Sequence, residues 1–336
     1  MPIPFILAGL AVAAGAVGVK KGLDAKEKND EARRVAETAQ AIYEAAKDDA
    51  MSARKGANNS IQNLGRAKMN VLKSEMRQFV NTYIKINNIN FHDSVGIEEL
   101  RNIHITPESL QQMKKDGDLA FELASASSGV ALGGLAALGA YGGTMTFGAA
   151  STGTAIASLS GVAATNATLA FLGGGSLAAG GFGMAGGMAV LGGLVAGPAL
   201  AVMGVFANSK AEENLANAKS NMAKAREIRE ELRIVSTKCN AIKDRADMFT
   251  QLLDNQLTPL FGSLVRQMKD VINGAGTDFR QYSVQDKQIV ARTAAVAKAV
   301  KAVIDTPILT KDGNLTDESH TVYYDMKSLV PQLSQG

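Results

Sequence analysis

The chain has 336 residues, a net charge of +3 and a pI near 8.8. A charge of this size does not indicate a nucleic-acid partner, and the lack of tryptophan leaves no evident stacking platform for single strands. The single cysteine, Cys239, excludes an intramolecular disulfide framework. Gly181, Gly183 and Gly186 match the glycine pattern of dinucleotide-binding sites, but no β-rich strand precedes them and no acidic residue follows until Glu212. The three histidines have no metal-ligand spacing, so the sequence predicts a non-enzymatic protein that needs no cofactor.

Residues 1–22 form an apolar N-terminal segment. Its first 19 residues carry no charged side chain, and Lys20 and Lys21 follow directly. Lysines on this side favour a membrane anchor whose following chain stays in the cytoplasm. A helix buried against the rest of the protein fits the same residues, so both interpretations stay open.

Residues 23–90 are rich in Ala, Lys, Glu and Arg and contain no proline, which predicts a first long stalk helix. Its later part repeats apolar residues at alternating spacings of four and three, which is typical of a coiled-coil seam. The stretch from Gly56 to Ser60 is the poorest helix former, and we expect a bend there. The seam residues of this helix are Leu72, Met76, Phe79 and Tyr83.

Residues 91–128 contain a connector and the start of a helix. Thr106 offers a cap oxygen, Pro107 suits the first helical position and Glu108 suits the positive end of the helix dipole. The helix is predicted to run toward Ala124.

The 87 residues between Glu122 and Lys210 contain no charged side chain and hold 21 of the 34 glycines. We interpret residues 129–207 as a membrane-directed helical head, with candidate crossings over 129–149, 154–172 and 184–206. Few large aliphatic residues occur there, so insertion depends on close contacts between helices through glycines spaced four apart, a glycine zipper. These glycines are Gly129, Gly133, Gly139, Gly143, Gly183, Gly187, Gly193 and Gly197.

The sequence of residues 208–273 has the same four-three repeat and predicts a second stalk helix. Because the two helices have equal lengths and apolar seams on either side of one apolar insert, we expect them to form an antiparallel hairpin with the head at one end. A folded-over bundle fits the same pattern. Cys239 occupies a seam position, which indicates a core residue and not a reactive thiol. The seam consists of Ile228, Leu232, Val235, Cys239, Ile242, Phe249 and Leu253.

The sequence of residues 274–336 predicts two C-terminal amphipathic helices. Ser283 and Asp286 have the spacing of a capping box, and Pro307 should end the first helix. Its valines lie opposite its lysines, so it either packs on the stalk or binds a lipid surface. The second helix is expected over 317–330.

The residues from 151 to 187 read STGTAIASLSGVAATNATLAFLGGGSLAAGGFGMAGG. This segment resembles the Gly-rich core of a family of uncharacterised bacterial helical membrane proteins, which share an apolar N-terminus and charged helices before and after the core. The likeness covers about residues 1–270 and implies no catalytic residues. The overall plan is also similar to that of α-helical pore-forming toxins, which implies an apolar head carried on a helical stalk.

Together these observations predict an all-α protein that inserts into a bilayer, forms a homo-oligomer through its head and permeabilises or remodels the membrane. The alternative is a membrane-associated coiled-coil scaffold that recruits a protein partner on its stalk. A soluble form that wraps the head inside its own stalk fits the same sequence. We expect either the bacterial inner membrane with a cytoplasmic stalk, or a cytoplasmic protein that inserts conditionally, and no nucleic-acid partner.

Overall fold

The computed structural model describes residues 19–91, 105–125, 135, 138–140, 142, 211–310 and 313–334. These residues are mostly helical and form no strand, which confirms the all-α prediction for this part of the chain. The N-terminal apolar segment up to residue 18 and nearly all of the Gly-rich head lie outside the described residues.

Seven α-helices are described. They are α1 (Val19–Val71), α2 (Arg77–Tyr83), α3 (Pro107–Ser125), α4 (Ala211–Leu252), α5 (Thr258–Ala275), α6 (Val284–Asp305) and α7 (Asp317–Ser334). Two π-helical turns, Leu72–Met76 and Leu253–Leu257, join α1 to α2 and α4 to α5.

The stretch between Gly56 and Ser60, where a bend is predicted, does not interrupt α1, which continues through it as a regular helix. The irregularities lie at the two π turns instead. The second turn ends one residue before Thr258, and Pro259 then occupies the first turn of α5. Proline lacks the N–H that a continuous helix would use, so a reset of the hydrogen-bond ladder just before it is expected.

The chain divides into two compact units. Unit 1 comprises residues 1–55 and 192–239, and unit 2 comprises residues 56–191 and 240–336. Each long helix therefore contributes its first part to unit 1 and its remainder to unit 2. The units do not follow the changes in composition that suggested a stalk and a head.

In unit 1 the helices α1 and α4 run in the same direction. The Asn214 amide donates to the Asn29 side chain, and Lys219 pairs with Glu31 at 3.4 Å. Farther along both helices, Ala50 belongs to one apolar cluster with Ile228, Leu232 and Val235, against which Tyr43, Ala46 and Cys239 pack. Contacts that advance together along both helices are those of a parallel pair.

Unit 2 shows the same direction. Phe79 and Phe261 have ring centroids 5.6 Å apart, and past the ends of α2 and α5 Asn87 and Asp278 form a parallel β-bridge. The predicted antiparallel hairpin is therefore wrong within both units. Equal helix lengths and apolar seams on either side of an insert carry no information about helix direction.

The chain that runs antiparallel to α1 in unit 2 is α3 with the described residues of 135–142. Gly117 lies against Leu72, Leu135 against Gly65 and Gly139 against Ile61. Residue numbers thus rise along this segment while those of its contacts fall. The start of α3 is as predicted, because the Ser109 N–H donates to Thr106 Oγ1 at 3.2 Å. This part of the predicted 129–149 crossing packs on the helical bundle.

Helix α6 lies at the centre of unit 2. Its capping box is confirmed: the Asp286 N–H donates to Ser283 Oγ and the Ser283 N–H donates to the Asp286 carboxylate. The helix ends at Asp305, two residues before Pro307. Thr293, Val296, Val300 and Val303 are fully buried. The lipid-surface alternative for this helix is thus replaced by packing in the core.

Helix α7 closes the bundle. Tyr323 packs near Phe249 with ring centroids 6.0 Å apart, and the Arg292 guanidinium of α6 donates to the Leu333 carbonyl at 2.6 Å. Ser319, one turn into α7, accepts a hydrogen bond from Arg245 at 2.8 Å. The predicted last helix over 317–330 is present and extends to Ser334.

Gly65→Ala should destabilise unit 2 by about 1–3 kcal/mol, the usual cost of overpacking a core. A Cβ atom at Gly65 would stand 1.9 Å from the Leu135 carbonyl oxygen, so one backbone must move. The matched control is Gly274→Ala in α5, where nothing lies within 4 Å of the new atom. Because alanine favours the helix, the control should gain up to about 1 kcal/mol. Urea unfolding followed by circular dichroism measures both, and equal stabilities of the two variants would contradict the close contact.

Candidate functional site

The predicted seam residues of both long helices face the interior of their units. Nine of the eleven lie at or below 7% exposure, and the other two, Cys239 in unit 1 and Ile242 in unit 2, are half-buried. Burial raises the pKa of the Cys239 thiol, while the nearby Arg54 charge acts in the opposite direction. A raised pKa reduces the thiolate fraction, so this residue has the character of a packing residue.

Of the eight predicted zipper glycines, Gly139 is the one that the structure describes. A Cβ atom there would stand 2.0 Å from the Ile61 carbonyl oxygen and 3.1 Å from the Gly65 nitrogen. The close approach that glycine permits is therefore used against α1 in unit 2. The other seven glycines lie outside the described residues.

A cluster of four charged side chains lies in unit 2, and two of the four, Lys68 and Asp116, are fully buried. It comprises Lys68 on α1, Asp116 on α3, and Lys301 and Asp305 at the end of α6. Charged side chains are almost never fully buried unless they are paired, so this cluster is the most unusual chemical feature of the described residues. We take it as the candidate functional site.

Lys68 has no exposed surface, and its Nζ donates a hydrogen bond to the Thr306 carbonyl at 3.3 Å. Burial lowers the pKa of this lysine to about 7, because the charged form loses its hydration, and attraction to Asp305 opposes that shift in part. A lysine with such a pKa exchanges its proton near neutral pH.

Asp116 is 1% exposed. Burial raises the pKa of this carboxyl above its usual value, and the charge of Lys301 acts in the opposite direction. Gln112 donates to Oδ1 at 2.7 Å, while Oδ2 lies 3.3 Å from Lys301 Nζ. That second contact has the distance of an ion pair but not the alignment of a hydrogen bond, since Oδ2 has no hydrogen-bond partner.

Lys301 also forms an ion pair with Asp305, one turn later on α6. The cluster contains two lysines and two aspartates, so its charges cancel when all four are ionised. The attraction within ion pairs of this kind offsets only part of the hydration free energy that the charged groups lose on burial. The cluster joins α1, α3 and α6 by contacts that are specific in position but weak in net stabilisation.

No sequence pattern predicts this cluster as a whole. Lys301 was predicted to be one of the solvent-facing lysines of α6, but its side chain is only 12% exposed. The one available signal was Lys68, which stands four residues after Leu64 and four before Leu72, on the face that carries the apolar residues of α1. Its carboxylate partners are far away in sequence and no local pattern identifies them.

Between pH 7 and pH 9, the free energy of unfolding should rise with pH. In that interval unfolded Lys68, with a pKa near 10.5, binds a proton that folded Lys68, with a pKa of about 7, does not bind. Each unit of difference corresponds to about 1.4 kcal/mol. Urea unfolding at fixed pH measures the slope. The range stops at 9 because burial raises the pKa of Cys239 above its usual value of 9 and that of Tyr83 from 10 to about 12, and both shifts give the opposite slope at higher pH.

Lys68→Met should remove this slope, whereas Lys269→Met, at an exposed position of α5, should retain it. A slope that is the same in all three proteins would show that Lys68 is not buried in its charged cluster.

No helix within the described ranges combines the length and the apolar character that a membrane span needs. The same residues contain no group of three or more His, Cys, Asp or Glu side chains that could hold a metal ion. Comparison of the chain with protein-family models, with curated proteins and with solved structures finds no match.

Proposed function

We propose that this chain is a non-enzymatic protein that inserts into a bilayer through its two charge-free segments and associates there with further copies to permeabilise or remodel the membrane. The observation that carries the proposal is the parallel direction of α1 and α4 in unit 1. Residues 1–19 directly precede Lys20 in α1, and residues 123–209 directly precede Lys210 and α4.

In a parallel pair, both helices begin at the same end. Both apolar segments therefore enter unit 1 from one side, an arrangement in which a single bilayer can receive them together. An antiparallel pair would have separated the two entry points by the length of the pair.

The charges at these junctions support the same orientation. Lys20 and Lys21 follow the first segment and Lys210 follows the second, so basic residues lie on the α1 and α4 side of both. Under the positive-inside rule, this favours a bacterial inner membrane with both units in the cytoplasm. Association through the Gly-rich segment supplies the contacts that its few large aliphatic side chains do not.

The purified chain should float with phosphatidylcholine vesicles in a density gradient, resist carbonate extraction and release an entrapped dye. Leu194→Arg with Val195→Arg places two charges in the 184–206 segment, and each costs about 2.5–3.5 kcal/mol at the centre of a membrane span. This variant should stay at the bottom of the gradient. The matched control, Thr237→Arg with Asn240→Arg, adds the same charge at exposed positions of α4 and should float like the wild type.

A wild-type chain that does not float at any lipid composition would contradict membrane insertion, as would flotation of the Leu194 and Val195 variant. Flotation without dye release would replace permeabilisation by the alternative, a membrane-attached scaffold for a protein partner.

A further inference from the structure

One segment of unit 2 belongs both to the helical bundle and to the charge-free stretch. We name it the strap and define it as α3 (Pro107–Ser125) with residues 135, 138–140 and 142. Its last five residues lie within the 87-residue stretch that the proposed function assigns to the bilayer. In the described structure they are buried, with Leu135 at 7%, Leu138 at 0% and Ala140 at 4% exposure. These residues cannot occupy the bundle and a bilayer at the same time.

The far end of the strap is held by backbone contacts. Gly139 lies against the backbone of Ile61 and Gly65 in α1. The Ala140 carbonyl accepts hydrogen bonds from Ile308 N at 2.8 Å and Leu309 N at 3.0 Å, just after α6. Both contacts are made by main-chain atoms, so they depend on the position of the strap more than on its side chains.

The middle of the strap is held by charge. Asp116 pairs with Lys301 inside the charged cluster, and Lys68 and Asp305 face the same cluster from α1 and α6. Because the desolvation of these groups offsets much of their attraction, an apolar substitute would hold the strap more tightly. The ion pairs at this position therefore contribute little net free energy to the docking of the strap.

The second half of α3 lies on α2. Arg77 forms an ion pair with Asp118 at 3.1 Å, and its guanidinium stands 4.0 Å from the centre of the Phe121 ring. Both members of the ion pair are more than a third exposed, so this contact contributes little to stability. The Phe121 side chain remains 44% exposed. Apolar packing adds to these contacts, because Met113 and Ala120 of α3 are buried in the core of unit 2. The strap is thus attached to α1, α2 and α6 both by weak charged contacts and by buried apolar side chains.

We propose that the strap is an autoinhibitory element, which keeps the beginning of the charge-free segment on the bundle in the absence of lipid and must leave α1, α2 and α6 before that segment enters a bilayer. This inference rests on the proposed function. Departure exposes Leu135, Leu138 and Ala140, whose burial favours the docked state in water. A bilayer offers the same side chains an equivalent apolar environment, so lipid shifts the equilibrium toward release.

A reversible disulfide tests the proposal directly. A Cβ atom at Gly117 would lie 3.5 Å from Arg77 Cβ, within the range of about 3.5–4.5 Å that disulfides need. The variant Gly117→Cys with Arg77→Cys, in a Cys239→Ser background, therefore attaches α3 to α2 when oxidised. Gly117→Cys alone in the same background is the control for oxidation and for the new side chain.

We expect the oxidised double variant to lose flotation with phosphatidylcholine vesicles and to recover it on reduction, while the control floats in both conditions. Equal flotation of the oxidised and reduced forms would overturn the strap proposal and leave the membrane function in place. A wild-type chain that never floats would overturn both. If the double variant does not fold, hydrogen exchange of the full wild-type chain decides between the same alternatives.

In that exchange experiment, the amides of α3 should be protected in water and lose protection when vesicles are added. The amides of α5, which has no part in the strap, should stay protected. A wild-type chain that floats while α3 remains protected would overturn the proposal.

Discussion

The parallel direction of the two long helices is the constraint on which the other features depend. It is visible in unit 1 from the Asn29 and Asn214 contact, and in unit 2 from the Asn87 and Asp278 bridge. Two parallel helices cannot be joined by a short turn, so a further segment of the chain must run back beside them. In unit 2, the strap occupies that place along α1. The same direction places the starts of α1 and α4 at one end of unit 1.

The strap packs by two different physical means. Gly65 and Gly139 allow the main chain of the strap to approach α1 closely, which no residue with a Cβ atom would permit. A few residues earlier, Asp116 contributes to a charged cluster whose ion pairs recover little of the hydration that they lose. Close packing fixes where the strap lies, while the cluster limits how strongly it is held. This combination suits a segment that must leave the bundle when lipid is present.

Local features of the fold could be predicted from the sequence, because each depends on residues that are near one another. The Thr106 cap, the Ser283 and Asp286 capping box and the end of α6 before Pro307 are of this kind. The apolar face of α4 followed from its four-three repeat, and its seam residue Leu232 is 3% exposed.

Features that depend on distant residues could not be predicted. Helix direction depends on which residues of α1 meet which residues of α4, and the four-three repeat is the same in either direction. The charged cluster joins Lys68 to residues more than 200 positions away. Gly139 was recognised as a packing residue, but its partner was not, since the close approach of Gly65 requires knowledge of the fold.

The most direct test of the parallel arrangement is a set of spin-label distances in unit 1, in a Cys239→Ser background. Labels at exposed positions pair Asp30 with Ser220 and Asp49 with Thr237. The account predicts short distances of similar length for these two pairs. The exchanged pairs, Asp30 with Thr237 and Asp49 with Ser220, should be longer, because each adds an offset of about 25 Å along the helix axis. Short distances in the exchanged pairs and long ones in the first two would contradict the parallel arrangement.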